Sequence, residues 1–103
     1  MVYKLVVTER AEELIDNLVH YLLFQLKNEQ AAVHLLDGIE NVYDRLEDSP
    51  LQFPICRDSY LAGKGYYEAV VPEMNYTIIF SITGNIVNIL GVFHQLEDYQ
   101  RKL

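Results

Sequence analysis

The feature that most constrains the fold is a pair of apolar stripes at helical spacing in the first half of the chain. Apolar residues recur every three or four positions over residues 11–26 and again over residues 32–46, which is typical of amphipathic helices. Thr8 suits the N-cap of the first helix and Asn28 that of the second, and Pro50 stops the second helix. Because the link between them is so short, the sequence predicts an antiparallel helical hairpin.

Four short runs of β-branched and apolar residues flank this hairpin and read as strands. They cover residues 2–7 before the hairpin and residues 66–71, 76–82 and 86–93 after it. The separators Pro72-Glu73-Met74-Asn75 and Thr83-Gly84-Asn85 are typical turn sequences, so the last three runs are predicted to form an antiparallel meander. Gly91 within the last run predicts a bulge or a close backbone approach. Residues 49–65 are predicted to be an extended connector.

This order of elements predicts a two-layer α+β domain over residues 1–103, with the topology β-α-α-β-β-β. The helical hairpin packs on one face of a mainly antiparallel four-stranded sheet, because its apolar stripe must be buried against another element. A chain of 103 residues is long enough for one core and too short for two. No further element remains for the opposite face of the sheet. We therefore predict that this second face is uncovered and docks a partner protein.

The acidic balance restricts the kind of partner. The formal net charge is −7, from 15 acidic and 8 basic side chains. Residues 1–50 hold ten of the acids and only four of the bases. A surface of this kind repels nucleic acid and accommodates a basic or neutral partner. The sequence therefore argues against sequence-specific DNA binding by this chain alone.

Several other classes of protein are excluded by what the sequence lacks. Cys56 is the only cysteine, so there is no internal disulfide and no Cys-rich metal site. Apolar runs are too short to cross a bilayer, and the N-terminal residues read as a strand and not as a secretory signal. No phosphate-binding loop or nucleophile motif occurs. We expect a cytoplasmic protein that needs no metal or other cofactor and does not bind membranes.

The motifs, taken in order, resemble the RelE/ParE family of toxins from type II toxin–antitoxin systems, which includes plasmid stabilisation proteins. The opening Tyr3-Lys4-Leu5-Val6-Val7-Thr8-Glu9-Arg10-Ala11-Glu12-Glu13-Leu14 resembles the family's first strand and helix. Gly65-Tyr66-Tyr67 and residues 75–82 and 86–94 resemble its meander, and His94-Gln95-Leu96-Glu97-Asp98-Tyr99 resembles its ending. The resemblance covers nearly the whole chain. It implies a toxin that is neutralised by an antitoxin, a disordered segment of which folds over the toxin.

The family resemblance leaves two activities open. RelE-like members cleave messenger RNA on the ribosome, whereas ParE-like members act on DNA gyrase. A ribonuclease needs groups that transfer protons and cations that stabilise the phosphorane. In this chain His94 and Tyr99 would act as base and acid, and Lys64 would bind the phosphate. However, Tyr67 and Thr77 stand where RelE-like members often carry Arg. These departures favour the ParE-like branch.

Three hypotheses follow from the resemblance. The first is a ParE-like toxin that binds a protein target, for which gyrase is the family's example. The alternatives are a RelE-like endonuclease that acts on the ribosome with an unusual residue set, and an interaction module of the same fold without toxicity. Aromatic and basic side chains often dominate protein contacts, so we predict a partner-binding set of Tyr66, Tyr67, Tyr76, Arg57 and Arg101.

Overall fold

A computed structural model describes residues 2–95 of the chain. Its elements are β1 (Lys4–Val7), α1 (Glu9–His20), α2 (Glu29–Asp48), α3 (Ser59–Gly63), β2 (Tyr67–Val70), β3 (Tyr76–Thr83) and β4 (Ile86–His94). The helical path of α1 continues through a π-helical segment, Tyr21–Gln25, and a 3₁₀ turn, Pro50–Gln52, follows α2. The predicted order of strands and long helices is confirmed. No helix within the described residues is long and apolar enough to span a membrane.

Both long helices begin at the predicted caps. The Thr8 hydroxyl accepts a hydrogen bond from the backbone N–H of Ala11 (3.2 Å), and the Asn28 side-chain oxygen accepts one from Ala31 (3.0 Å). These bonds satisfy donors that a helix N-terminus otherwise leaves unpaired. The Thr8 hydroxyl also donates to the backbone oxygen of Ile89 at 2.7 Å. The start of α1 is therefore tied directly to β4.

The four strands form one mixed sheet in the order β1-β4-β3-β2. β1 runs parallel to β4, and the other two pairings are antiparallel, as the predicted meander requires. The β3–β4 register shifts by one residue, because Ile79 pairs with Gly91 whereas Phe80 pairs with Ile89. Gly91 therefore lies at a bulge, as predicted from the sequence. A Cβ atom at Gly91 would lie only 2.5 Å from the ring of Phe93, so the backbone approach is close as well.

The main core lies between the helical hairpin and one face of the sheet. Leu35, Val42 and Leu46 of α2 are fully buried there. Phe80 of β3 stands at its centre, with the Tyr67 ring stacked on it at 5.5 Å and the Phe53 ring edge-on at 6.1 Å. Burial of these apolar side chains is the main stabilising term for a domain of this size.

The second face of the sheet is partly covered, contrary to the prediction that it would be bare. The connector is not simply extended: it folds back along β2, where Ile55 bridges Tyr67, and then forms α3. This fold-back buries a second, smaller core cluster made of Cys56, Leu61, Ile79 and Phe93. The connector adopts this course because backbone groups at the outer edge of β2 need partners. Two hydrogen bonds supply them, Cys56 N to Tyr66 O (2.9 Å) and Glu68 N to Pro54 O (3.0 Å).

Two parts of the second face are left open, one around β1 and the start of β4 and one at the end of β2. Val6 of β1 is 38% exposed and Val70 of β2 is 44% exposed. The side-chain amide of Asn88 lies 3.4 Å from the hydroxyl oxygens of both Ser81 and Thr83. The open parts of this face therefore present both apolar and polar side chains to solvent.

Candidate partner-binding site

The described members of the predicted partner-binding set lie on both faces of the sheet. Tyr67 and Tyr76 face the helices: Tyr67 stacks on Phe80, and Tyr76 is 8% exposed. Tyr66 packs instead against the smaller cluster on the second face. Arg101 lies outside the described residues. The structure does not bring the three tyrosines onto one surface, and their role in binding stays a prediction.

Arg57, the fourth described member of the set, is held by a buried carboxylate. Glu68 of β2 is 3% exposed. Its two carboxylate oxygens accept hydrogen bonds from the backbone N–H of Arg57 (2.7 Å) and from Arg57 Nε (3.1 Å). The Arg57 side chain is 75% exposed, so the guanidinium remains accessible to solvent. This clamp joins the connector to β2 and fixes the position of Arg57 on the second face.

Loss of the Glu68 carboxylate is expected to loosen the connector. Glu68→Ala should lower the free energy of unfolding by about 1–2 kcal/mol, since the backbone N–H of Arg57 loses its acceptor. Glu68→Gln has the same size and keeps an oxygen for that bond, so it should lose less than half as much. Urea denaturation followed by circular dichroism measures both values. Equal losses for the two variants would contradict a role for the backbone bond.

The residues proposed for RNA cleavage are not gathered at one site within the described part of the chain. The Lys64 ammonium lies over the ring of Tyr60 at 4.6 Å and near Tyr66 on the second face. His94 ends β4 opposite Tyr76, whose ring it meets edge-on at 5.4 Å on the helix side. Tyr99 lies outside the described residues. The geometry thus places His94 and Lys64 on different faces of the sheet.

Most described cations contact an acidic side chain or an aromatic ring. Arg10 lies 3.9 Å from a carboxylate oxygen of Glu13, and the Arg45 guanidinium stands 4.8 Å from the centre of the Phe53 ring. Nor does any group of three or more His, Cys, Asp or Glu side chains within residues 2–95 have the arrangement of a metal site. Within residues 2–95, most cations are therefore engaged by a carboxylate or an aromatic ring.

Cys56 is a buried thiol in the smaller core cluster, where it is 3% exposed. Burial, with the negative charges of Glu68 and Asp58 adding to it, raises the pKa of this thiol from its ordinary value to about 11. Between pH 9 and 11 the unfolded chain therefore loses this proton before the folded chain does. Titration of Cys56 consequently makes stability fall as the pH rises through that range.

We expect the Cys56 thiol to be nearly inert in the folded protein. A pKa about two units above normal leaves about 100-fold less thiolate at pH 8, and burial slows access further. Reaction with dithionitrobenzoate should therefore be at least about 100-fold slower in buffer than in concentrated urea. The rate of absorbance change gives this ratio directly. A ratio close to one would mean that the connector opens readily and leaves the cluster exposed.

Comparison with known proteins bears on both fold and family. The family model described as "ParE toxin of type II toxin-antitoxin system, parDE" matches residues 5–99. A solved structure of the chromosomal ParDE toxin–antitoxin system from P. aeruginosa is similar, with a TM-score of 0.70 and 16% identity over 90% of this chain and 96% of that one. No curated protein sequence matches the chain.

A second similar structure is the toxin–antitoxin complex RelBE2 from Mycobacterium tuberculosis. Its chain gives a TM-score of 0.59 at 21% identity, and the alignment covers 91% of this chain and 99% of that one. Identities this low establish a shared fold and nothing finer. The predicted α+β fold with a mainly antiparallel sheet is thereby confirmed.

Proposed function

The chain belongs to the ParE toxin family of type II toxin–antitoxin systems, and from that membership we propose that it inhibits growth by binding a cellular protein and is neutralised by a cognate antitoxin. The observation that carries this proposal is the family match, which extends over residues 5–99. The two similar solved structures support the fold, and both come from toxin–antitoxin systems.

The distribution of charge supports protein binding over RNA cleavage as the mode of action. A net charge of −7 opposes the approach of a polyanion unless cations are concentrated at one place. Thr77, which stands where RelE-like members often carry Arg, is only 1% exposed. Tyr67, at the other such position, faces the helices and stacks on Phe80. Neither position offers a cation to a phosphate group.

We propose that the target is a protein of the cytoplasm, with DNA gyrase as the first candidate because ParE-like toxins act on it. Induced expression of the chain without an antitoxin is the direct test. We expect growth to stop, a DNA-damage reporter to rise, and messenger RNA to remain intact when its 5′ ends are mapped. We expect a neighbouring open reading frame to encode the antitoxin, and its co-expression should restore growth, since type II antitoxins bind their toxins.

The alternative activities give different results in the same experiment. Codon-phased cuts in messenger RNA without DNA damage would indicate a RelE-like endonuclease on the ribosome. In that case His94→Ala or Tyr99→Phe should abolish toxicity, whereas under the present proposal both variants should remain toxic. Unchanged growth, with the protein present and folded, would leave only the non-toxic interaction module.

A further inference from the structure

The guanidinium of Arg57 is both fixed in orientation and open to solvent. Its Nε donates to one carboxylate oxygen of Glu68 at 3.1 Å, while the backbone N–H of Arg57 donates to the other at 2.7 Å. The side chain is nevertheless 75% exposed. Among the described residues, its hydrogen bonds and ion pairs involve the backbone N–H and Nε alone. The donors on the two terminal nitrogen atoms are therefore available to an acceptor from outside the chain.

The carboxylate of Glu68 does more than hold the connector. Burying a carboxylate is costly unless its oxygens are bonded, and a neutral amide would be enough to accept the backbone bond. The second oxygen holds Nε, and so it fixes the plane of the guanidinium before any partner arrives. A planar donor group that is already oriented loses less conformational freedom when it binds. The pair thus orients Arg57 for contact with an external group.

Arg57 belongs to a compact loop with a second cation and an exposed aromatic ring. A backbone hydrogen bond from Cys56 N to Tyr66 O (2.9 Å) joins the two ends of this loop, which contains α3. Lys64 caps the C-terminus of α3, and its ammonium lies 4.6 Å from the centre of the Tyr60 ring. Tyr60 is 56% exposed. We call Arg57, Tyr60 and Lys64 the α3 surface. It combines arginine and tyrosine, the residue types that often dominate protein contacts.

The charge of the chain decides which acceptor suits the α3 surface. A guanidinium matches the oxygens of carboxylates and of phosphates equally well. A nucleic acid brings a run of phosphates, which a net charge of −7 repels. A protein segment with a few carboxylates between apolar residues carries much less charge, and its apolar residues can pack on the Tyr60 ring. The surface therefore suits an acidic protein segment better than RNA or DNA.

We propose that the α3 surface binds a carboxylate-bearing segment of the target protein, with Arg57 as the direct ligand of one carboxylate and Glu68 as the residue that positions Arg57. The existence of a protein target rests on the proposed function, whereas the chemistry of the segment rests on the α3 surface alone. The terminal nitrogen atoms of Arg57 donate to the two carboxylate oxygens of the partner.

The direct test measures fluorescence anisotropy of a short labelled peptide of glutamate, leucine and serine, titrated with the full chain. We expect Arg57→Gln to weaken binding about tenfold. Arg57→Lys keeps the charge but loses Nε and the planar fork, and it should weaken binding about fivefold. Arg10→Gln is the matched control, because Arg10 is an exposed arginine beside a carboxylate on α1, away from the α3 surface. It should weaken binding less than about twofold.

Glu68→Gln separates positioning from simple charge, because the two effects have opposite signs. If only charge mattered, removing a negative group beside Arg57 would strengthen binding of the acidic peptide. If the carboxylate positions the guanidinium, the amide releases Nε and binding weakens, by about threefold on our expectation. Circular dichroism of each variant checks that the fold is kept. Tighter binding by Glu68→Gln would overturn the positioning role.

The remaining outcomes judge the occupant of the surface. The proposal is overturned if the glutamate peptide does not bind, if Arg10→Gln weakens it as much as Arg57→Gln, or if single-stranded RNA binds more tightly than the peptide. A dimer in sedimentation that Arg57→Gln dissociates would assign the surface to a second copy of the chain instead.

The growth assay tests the assignment to the target. Arg57→Gln should relieve growth arrest at unchanged protein level and still co-purify with the antitoxin. A variant that remains toxic, whether or not it still binds the antitoxin, would overturn the assignment to the target. A wild-type chain that leaves growth unchanged would overturn the proposed function and the target with it, and the peptide titration would still decide whether the α3 surface binds carboxylates.

Discussion

Replacing Phe80 by alanine is expected to lower the free energy of unfolding by about 3–5 kcal/mol. Phe80 is fully buried, and its ring contacts the Tyr67 ring on β2 and the Phe53 ring beyond the 3₁₀ turn. Removing it leaves a cavity in the main core and takes away two aromatic contacts. Urea denaturation followed by circular dichroism measures the loss, provided that the transition remains cooperative.

Phe80→Leu is the control for this prediction. Leucine keeps most of the buried apolar volume and loses only the aromatic geometry, so its cost should be less than half that of alanine. If Phe80→Ala lowers the free energy of unfolding by no more than about 1 kcal/mol, its effect is on the order of that of a substitution at an exposed position. That result would contradict the central position of this ring in the core.

Replacing Gly91 by alanine is expected to cost about 2–3 kcal/mol, although alanine is ordinarily better than glycine within a strand. The added Cβ atom would lie 2.5 Å and 2.7 Å from two ring carbons of Phe93 and 3.1 Å from Leu14 Cδ1. Phe93 is fully buried, so its ring has little room to move away. Chemical denaturation again gives the value.

Gly63→Ala is the matched control for Gly91→Ala. A Cβ atom at Gly63 would meet nothing within 4 Å, and its backbone is not in the left-handed region. This variant should therefore be neutral or slightly stabilising. Combining Gly91→Ala with Phe93→Leu should cost less than the sum of the two single changes, because the smaller side chain relieves the contact. Additive costs would show that the clash with the Phe93 ring is not the cause.

The long helices and the meander were predictable because local patterns determine them. Thr8 and Asn28 are strong N-cap residues, and the apolar stripes that follow them have a helical period. Gly91 was predicted to mark a bulge or a close backbone approach, because a glycine inside a strand pattern usually marks one of the two, and the structure shows both. The family resemblance implied the same order of elements. The match to residues 5–99 confirms the family, and the structure confirms the order.

The connector was not predictable in the same way. Its fold-back depends on hydrogen bonds between residues near Pro54 and Cys56 and the edge of β2. Periodicity of apolar residues in the sequence does not predict a pairing of this kind. Strand alternation puts Glu68 on the face opposite Tyr67, and this is the second face, which the sequence predicted to be uncovered. The residue is buried there only because the connector covers it and Arg57 binds its carboxylate. The sequence pattern alone gave no sign of this clamp.

The candidate sites were the least predictable feature, because they depend on which side chains meet across elements. Tyr66, Tyr67 and Tyr76 lie close together in the sequence, yet strand alternation and the fold-back of the connector separate them. A groove between α1 and α2, by contrast, is lined by Glu12 and Glu40, which are far apart in the sequence and belong to two helices. Only the packing of α1 against α2 brings them together.

The parallel pairing of β1 with β4 has a consequence for the timing of folding during synthesis. It pairs residue 4 with residue 86. β1 is synthesised first, but it has no neighbouring strand until β4 has been synthesised. Non-local pairing of this kind is slow, and it leaves the nascent chain without a finished sheet until β4 has been synthesised. A ribosome whose nascent chain does not yet include β4 therefore carries no assembled domain.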